Sequence, residues 1–321
     1  MRKSQPFYFF ALMLLLQLIW ASSYSLQKMA LQEMPLGLIL VIRFGLASLA
    51  FLLLGKLSFK PRFGFKEWGL IFFSGIINFS GSPFFQLSAL RLTQATDVSI
   101  LVSFEPLLTA LLAVLFLKER LRPSTLYTFL AATLGVVIMG WQGGNADFQW
   151  QRLLGDSLFL LALLCEGTCS TVGRHLTQKY NPFELIAWMV FAGFLSNLAF
   201  NWPLLTIQNI SHIPLKGWLL AGYLALACTL IGYAGWFYLL KRIEVGKLAL
   251  SLFFQPLAGV FLACLLLGEK LDLQTALGGT IVLLSLLIWV KLTMPPDKKD
   301  DTAEENKIDE AEYLEDQVDA K

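Results

Sequence analysis

Three ionisable side chains stand inside long apolar runs: Arg43 in VIRFGLA, Glu105 in LVSFEPLL and Glu166 in LALLCEGTCS. An arginine at the centre of a lipid-spanning helix costs about 2.5–3.5 kcal/mol on insertion scales, and such residues are functional candidates by default. Arg43 has two readings, a cationic anchor for an anionic group of a small-molecule substrate or half of a structural ion pair that fixes helix packing. Glu105 lies at similar depth and is its expected partner, because each would otherwise be an expensive lone charge. Glu166 is then the spare acid, expected to serve cation recognition or proton coupling. The alternative is that Glu166 pairs with Arg43 and Glu105 is the spare.

Backbone polarity extends this set. Pro83, Pro106 and Pro256 carry no N–H and crowd the preceding turn, so the carbonyls of Phe79, Val102 and Leu252 are freed and three helix kinks are expected. Freed carbonyls at mid-depth are tolerated where they pack on protein or face a wet cavity. Asn78, Ser80, Gly81 and Ser82 precede Pro83 and form a polar, breakable stretch where an unwound or hinged segment is expected, although Gly and Ser also permit close helix contact. Trp20, Tyr24 and Trp236 are candidate cavity walls, and Asn78, Ser82 and Gln255 add polar contacts. Glu119 and Glu269 sit at helix ends beside bases (Lys118, Arg120; Lys270) and read as interfacial ion pairs. Cys165, Cys169, Cys228 and Cys264 lie in apolar stretches without metal-binding spacing, so neither a metal nor a cofactor is expected.

The elements that must position these residues follow from composition. The chain of 321 residues is 56% hydrophobic and 15% charged, with mean hydropathy +0.63, whereas soluble domains are roughly half apolar and a quarter charged. That excludes a soluble globule. Runs of about 20 apolar residues are membrane helices, and the short alternating pattern of an outer-membrane barrel does not occur. The expected fold is an all-α integral membrane protein with ten spans: 7–27, 36–54, 67–89, 94–117, 123–141, 153–175, 183–206, 217–240, 245–267 and 273–292. Arg2 and Lys3 before a run ending in Ala21-Ser22-Ser23 also fit a signal peptide, but that segment has a counterpart later in the chain.

The counterpart belongs to an internal repeat. Phe104-Glu105-Pro106-Leu107 is matched by Phe254-Gln255-Pro256-Leu257, and Glu119 by Glu269, both 150 positions apart; Met34-Pro35 matches Asn181-Pro182 at an offset of 147. The expected domains are a first five-helix repeat at 1–142, a second at 143–294 and an acidic tail at 295–321. Five spans per repeat make the second half enter the membrane from the opposite side, the inverted topology that transporters use. With the N-terminus inside, fifteen bases fall on inner segments and five on outer ones, which places both termini in the cytoplasm. Bacterial inner membrane is the expected location. The tail holds 11 acids and 4 bases with few apolar residues and is expected to be disordered.

The Pro-to-Glu spacing of thirteen in both halves, Trp20-Ala21-Ser22-Ser23-Tyr24 with Lys28, and Arg43 together resemble the drug/metabolite transporter superfamily, EamA type. The resemblance covers about residues 7–292. It implies ten helices around a central cavity, helices five and ten standing behind, and export or exchange of small metabolites, often amino-acid-like or aromatic, without ATP. Glu166 departs from the family's pattern, which has an aromatic in the sixth span. Ala131, Ala132, Gly135 and Gly140 in the fifth span and Gly278 and Gly279 in the tenth suggest close-packing faces, for scaffold or a homodimer through helices five and ten. The partners expected are thus the lipid bilayer, a small-molecule substrate and a second copy, with no nucleic acid. An enzyme is disfavoured because His175 and His212 lie near helix ends and neither an H-E-x-x-H nor a P-loop motif occurs. A channel-like facilitator of the same fold and a non-transport scaffold or sensor are the alternative functions.

Overall fold

Prolines and capping side chains set the helix boundaries. The computed structural model describes residues 5–54, 63–105, 108, 123–139, 149–242, 252 and 254–293. Helix α1 (Gln5–Glu33) stops just before Pro35, whose ring removes the N–H and disfavours helical backbone in the residue before it; α2 (Leu36–Leu53) starts directly after. Helix α8 (Pro182–Asn201) has Pro182 in its first turn, where a missing N–H costs nothing, and Asn181 caps it by accepting from the Phe183 N–H at 2.9 Å.

Between them lie α3 (Phe65–Ile76), α4 (Ser82–Leu90), α5 (Ala95–Leu101, tightening to a 3₁₀ turn at Val102–Phe104), α6 (Pro123–Met139) and α7 (Trp150–Thr177). After α8 come α9 (Ile207–Ser211), α10 (Leu215–Tyr223), α11 (Gly232–Leu240), α12 (Phe254–Leu267) and α13 (Leu273–Thr293). The chain is all-helical over the described residues, with no strand among them. Among the described residues, four helical runs are long and apolar enough to cross a bilayer: Leu36–Leu53, Phe65–Leu90, Pro182–Leu204 and Leu215–Leu240. Many large apolar side chains point outward, among them Leu53, Phe73, Phe200, Leu219 and Phe261. In water such a surface would aggregate; facing lipid, it is the solvent-matched side of an integral membrane protein.

Two of the four runs are not uniform α-helix. Ile77–Gly81 joins α3 to α4 as a π-helix, and Leu224–Ile231 joins α10 to α11 in the same way. The expected break at Pro83 is therefore absent: the helix widens instead of unwinding, and the bulge absorbs the proline. The carbonyl that Pro83 frees, on Phe79, accepts from Asn197 Nδ2 of α8 at 2.7 Å. A neighbouring helix restores the bond, as it must where no water is available. Pro256 is the third residue of α12 as described, and Pro106 lies outside the described residues.

Apolar packing forms two buried clusters. One runs through α1, α2, the Phe65–Leu90 run, α8 and the Leu215–Leu240 run; the other gathers Tyr24, Val98, Leu101, Phe159, Leu163 and Ala263 from α1, α5, α7 and α12. The small faces of α6 and α13 meet each other: a Cβ at Gly135 would stand 2.7 Å from the Gly278 carbonyl oxygen. Gly140 lies outside the described residues.

Candidate functional site

One cavity of about 60 Å³ opens between α1, α2, the two π-containing runs, α5, α7 and α12. Its walls include Trp20, Tyr24, Arg43, Asn78, Glu105, Glu166, Trp236 and Gln255, so eight of the nine predicted site residues converge on it. Ser82, the ninth, touches the cavity indirectly, by donating to Glu166.

Arg43 comes from the middle of α2, and its Nε donates to Thr229 Oγ1 at 2.9 Å. The π-helix presents that threonine: Thr229 Oγ1 donates to the Leu224 carbonyl five residues back, the spacing that a π turn creates. Arg43 Nη1 is buried without a hydrogen-bond partner among the described residues.

The expected Arg43–Glu105 ion pair does not form. No such bridge exists among the described residues, and the reason lies in helix neighbours: α2 packs on α8 and on the Leu215–Leu240 run, whereas α5 packs on α12, α7 and α13. Glu105 thus reaches the cavity from another side; its backbone N–H donates to the Val102 carbonyl, and its carboxylate makes no hydrogen bond to a described residue. Glu166 in α7 is the better-held acid, accepting from Ser82 Oγ at 3.0 Å and Gln86 Nε2 at 2.6 Å. Arg43 and Glu105 both lie within electrostatic reach of Glu166. Neither acid forms an ion pair with Arg43 among the described residues; Glu166 is held by the neutral Ser82 and Gln86 instead.

Aromatic walls are fixed by polar anchors. Trp20 Nε1 donates to the Cys228 carbonyl at 3.0 Å, and its ring meets Tyr233 and Trp236 edge-on with centroids 5.5 Å away in each case. Gly232 permits this approach, since a Cβ there would lie 2.7 Å from Trp20 Nε1. Tyr24 OH donates to Gln255 Oε1 at 2.9 Å, and Gln255 Nε2 donates to Gln17 Oε1. This chain ties α1 to α12.

Gln86, Tyr233, Ser23 and Thr229 are residues the sequence reading missed. Gln86 was findable, being one helical turn past Ser82 and so on the same face; Thr229 was not, because only the π segment turns it toward Arg43. Glu269, expected beside Lys270, instead pairs with Lys28 of α1 at 2.8 Å and accepts from the backbone N–H groups of Ala95 and Thr96 at 3.0 and 2.9 Å. Unsatisfied donors at the start of α5 and a distant lysine outbid the adjacent base. Burial pushes the Glu269 carboxyl up, but Lys28 and those two N–H groups outweigh it and hold the group below the usual carboxylate range. Glu119 lies outside the described residues.

Set against known proteins, the chain has relatives. An uncharacterized transporter of Archaeoglobus fulgidus is 26% identical over 280 residues, covering 85% of this chain and 95% of its own. A probable amino-acid metabolite efflux pump of Salmonella typhimurium is 24% identical over 87% of this chain and 93% of its own. A probable terminal-alkyne amino-acid exporter of Streptantibioticus cattleyicolor is 24% identical over 62% of this chain and 65% of its own. A crystal structure covering 88% of this chain and 98% of its own superposes with a TM-score of 0.58 at 19% identity, a likeness of fold alone. These names point to transport rather than to catalysis. The profile of the EamA-like transporter family matches residues 8–141 and again 153–290, and the chain belongs to that family.

Proposed function

We propose that the chain is a secondary-active carrier that exports or exchanges small zwitterionic metabolites, amino-acid-like and with an apolar or aromatic side chain, in exchange for protons. The observation that carries this reading is the meeting of one arginine, two carboxylates and an aromatic wall in one cavity. Arg43, whose buried Nη1 has no partner among the described residues, is suited to a substrate carboxylate. Glu166 and Glu105 are suited to an ammonium group, and Trp20, Tyr24, Tyr233 and Trp236 to an apolar side chain.

Competition for one carboxylate supplies the coupling. A zwitterion adds no net charge to the site: its carboxylate takes Arg43, and its ammonium needs an ionised Glu105 or Glu166. A proton on that carboxylate removes the ammonium's partner, so a site that holds one or the other exchanges them. The names of the Salmonella and Streptantibioticus relatives support amino-acid-like cargo. The paired family matches, and the π segments 147 to 150 residues apart, support ten helices in two inverted repeats. The bias of basic residues supports cytoplasmic termini, and with it a bacterial inner-membrane location.

Flux into proteoliposomes tests the reading. An aromatic amino acid should move against an imposed pH gradient, whereas its methyl ester and its keto-acid analogue, each lacking one charge, should move poorly. Glu166→Gln should flatten the pH dependence of flux while the protein still folds. Equal flux with and without the gradient favours a channel-like facilitator and overturns the coupled mechanism.

A further inference from the structure

At the Lys28 end of the molecule, beyond the cavity, a second polar cluster joins four elements. The order is the same on α1, on α7 and along α5 to Glu105: a cavity residue, then the apolar layer of Tyr24, Val98, Phe159 and Leu163, then the cluster. On α7, Asp156 stands ten residues before Glu166, about 15 Å along the helix. Asp97 of α5 receives Arg152 through both oxygens, from Nε at 2.5 Å and Nη2 at 2.7 Å. Arg152 also reaches Asp272 Oδ2 at 3.2 Å and Thr275 Oγ1 at 2.5 Å, tying α5 and α7 to the start of α13. The Lys28–Glu269 pair adds α1 and the turn after α12, and Lys28 Nζ donates to the Thr93 carbonyl at 3.0 Å. The contacts are tight: a Cβ on Gly155 would stand 2.9 Å from Thr93 Cβ.

Hydrogen counting singles out one member. Thr93 Oγ1 lies 2.8 Å from Asp97 Oδ2 and 2.7 Å from Asp156 Oδ1. Both are full hydrogen-bond distances, yet a threonine hydroxyl owns one hydrogen. The second contact therefore needs a hydrogen from a carboxyl group. Asp97 is not its source, because the bidentate guanidinium holds it as a carboxylate. Asp156 is fully buried, and its Oδ2 has no partner among the described residues. As an anion it would leave a bare charged oxygen in the interior. With a proton on Oδ1 it donates to Thr93, Thr93 donates to Asp97, and every contact is satisfied.

We propose that Asp156 is a proton-binding site, and that its protonated form latches this mouth of the carrier shut. The groups facing it are Arg152 on its own helix, Asp97 on α5 and Thr93 in the turn before α5. Asp272 stands behind Arg152, and the Lys28–Glu269 pair behind Thr93. Four acids meet two bases. Losing the proton sets two carboxylates against one hydroxyl and removes the donor that links α7 to that turn. The closed mouth thus holds a proton that the open mouth releases, so acid favours closure and rising pH favours opening. Asp272 stays ionised throughout: burial pushes its carboxyl up, but the Thr275 hydroxyl and backbone N–H and Arg152 outweigh this and hold it below the usual range, as Glu269 is held.

The test uses the full chain in lipid nanodiscs, with spin labels on cysteines at the exposed positions Arg91 and Lys270 in a background without other cysteines. Between about pH 5.5 and 8.5, where ordinary carboxylates are ionised, the short-distance population of the wild type should fall as pH rises. In Asp156→Asn the amide donates to Thr93 at every pH, so the short distance should persist unchanged. Infrared spectra of wild type minus Asp156→Asn should show, at the low-pH end, the carbonyl stretch of a protonated carboxylic acid; Glu105 and Glu166 are common to both samples and cancel. Absence of that band, a pH-independent distance in the wild type, or the same pH response in Asp156→Asn each overturns the proposal. Thr93→Ser, which keeps the hydroxyl, should behave as wild type if the asparagine variant does not fold, while Thr93→Val should shift the distance change to lower pH. Neither readout needs a substrate, so failure here leaves the assignment of the cavity standing.

Discussion

Among the described residues, Arg43 donates to Thr229 Oγ1 and its guanidinium stands 5.0 Å over the Phe44 ring, with its buried Nη1 unpartnered. A buried guanidinium left in that condition is stabilised by whatever anion enters. Arg43→Gln should therefore weaken an amino acid by about 10- to 100-fold, as expected for loss of a charge-assisted hydrogen bond of roughly 1.5–3 kcal/mol. It should barely change the affinity of the matching amine, which lacks a carboxylate. Calorimetric titration of both ligands checks this, and an equal loss for the two would remove Arg43 from carboxylate recognition. The presence of Arg43, Glu105 and Glu166 at one depth was legible in the sequence, because depth follows from position along an apolar run. Which of them touch was not. Contact depends on azimuth around each helix, and a π turn shifts the azimuth of every later residue by about one position relative to a 3.6-residue count.

That rotation makes the π segments the informative elements. Each lies in a run long enough to span a bilayer, and each is stapled by a side chain from another helix: Asn197 onto the Phe79 carbonyl, Trp20 onto the Cys228 carbonyl. Asn197 also donates to the Gly193 carbonyl and accepts from Ser80 Oγ, so both of its N–H hydrogens are in use. Asn197→Leu should leave the Phe79 carbonyl buried and unsatisfied and cost about 1–3 kcal/mol of stability. Thermal unfolding in detergent measures this; a midpoint unchanged from the wild type would mean that the Phe79 carbonyl finds another donor without its staple. From the sequence, Asn78 to Pro83 could be recognised as a place where regular helix fails. The form of the failure could not, because it was settled by Asn197, 118 residues from Phe79. Helix starts fared better: Pro35 and Pro182 act through local sterics alone, and α2 and α8 begin at the residues those prolines dictate.

For the molecule as a whole, the feature with the widest reach is the size of the cavity. At about 60 Å³ it has room for about two water molecules, far below the roughly 300 Å³ at which metabolite-sized pockets begin. Admitting cargo from either side therefore means admitting solvent first, about eight further waters at roughly 30 Å³ each. A conformational change that takes up water responds to water activity. Solutes too large to enter the widened cavity draw those waters back out and act as an opposing osmotic pressure on the opening step, whatever their chemistry. Sucrose placed at equal concentration on both sides of the vesicles should slow turnover, whereas glycerol at the same osmolality, small enough to enter, should slow it less. Stopped-flow measurement of turnover under the two solutes decides the matter: identical slowing would mean that the cavity opens without filling.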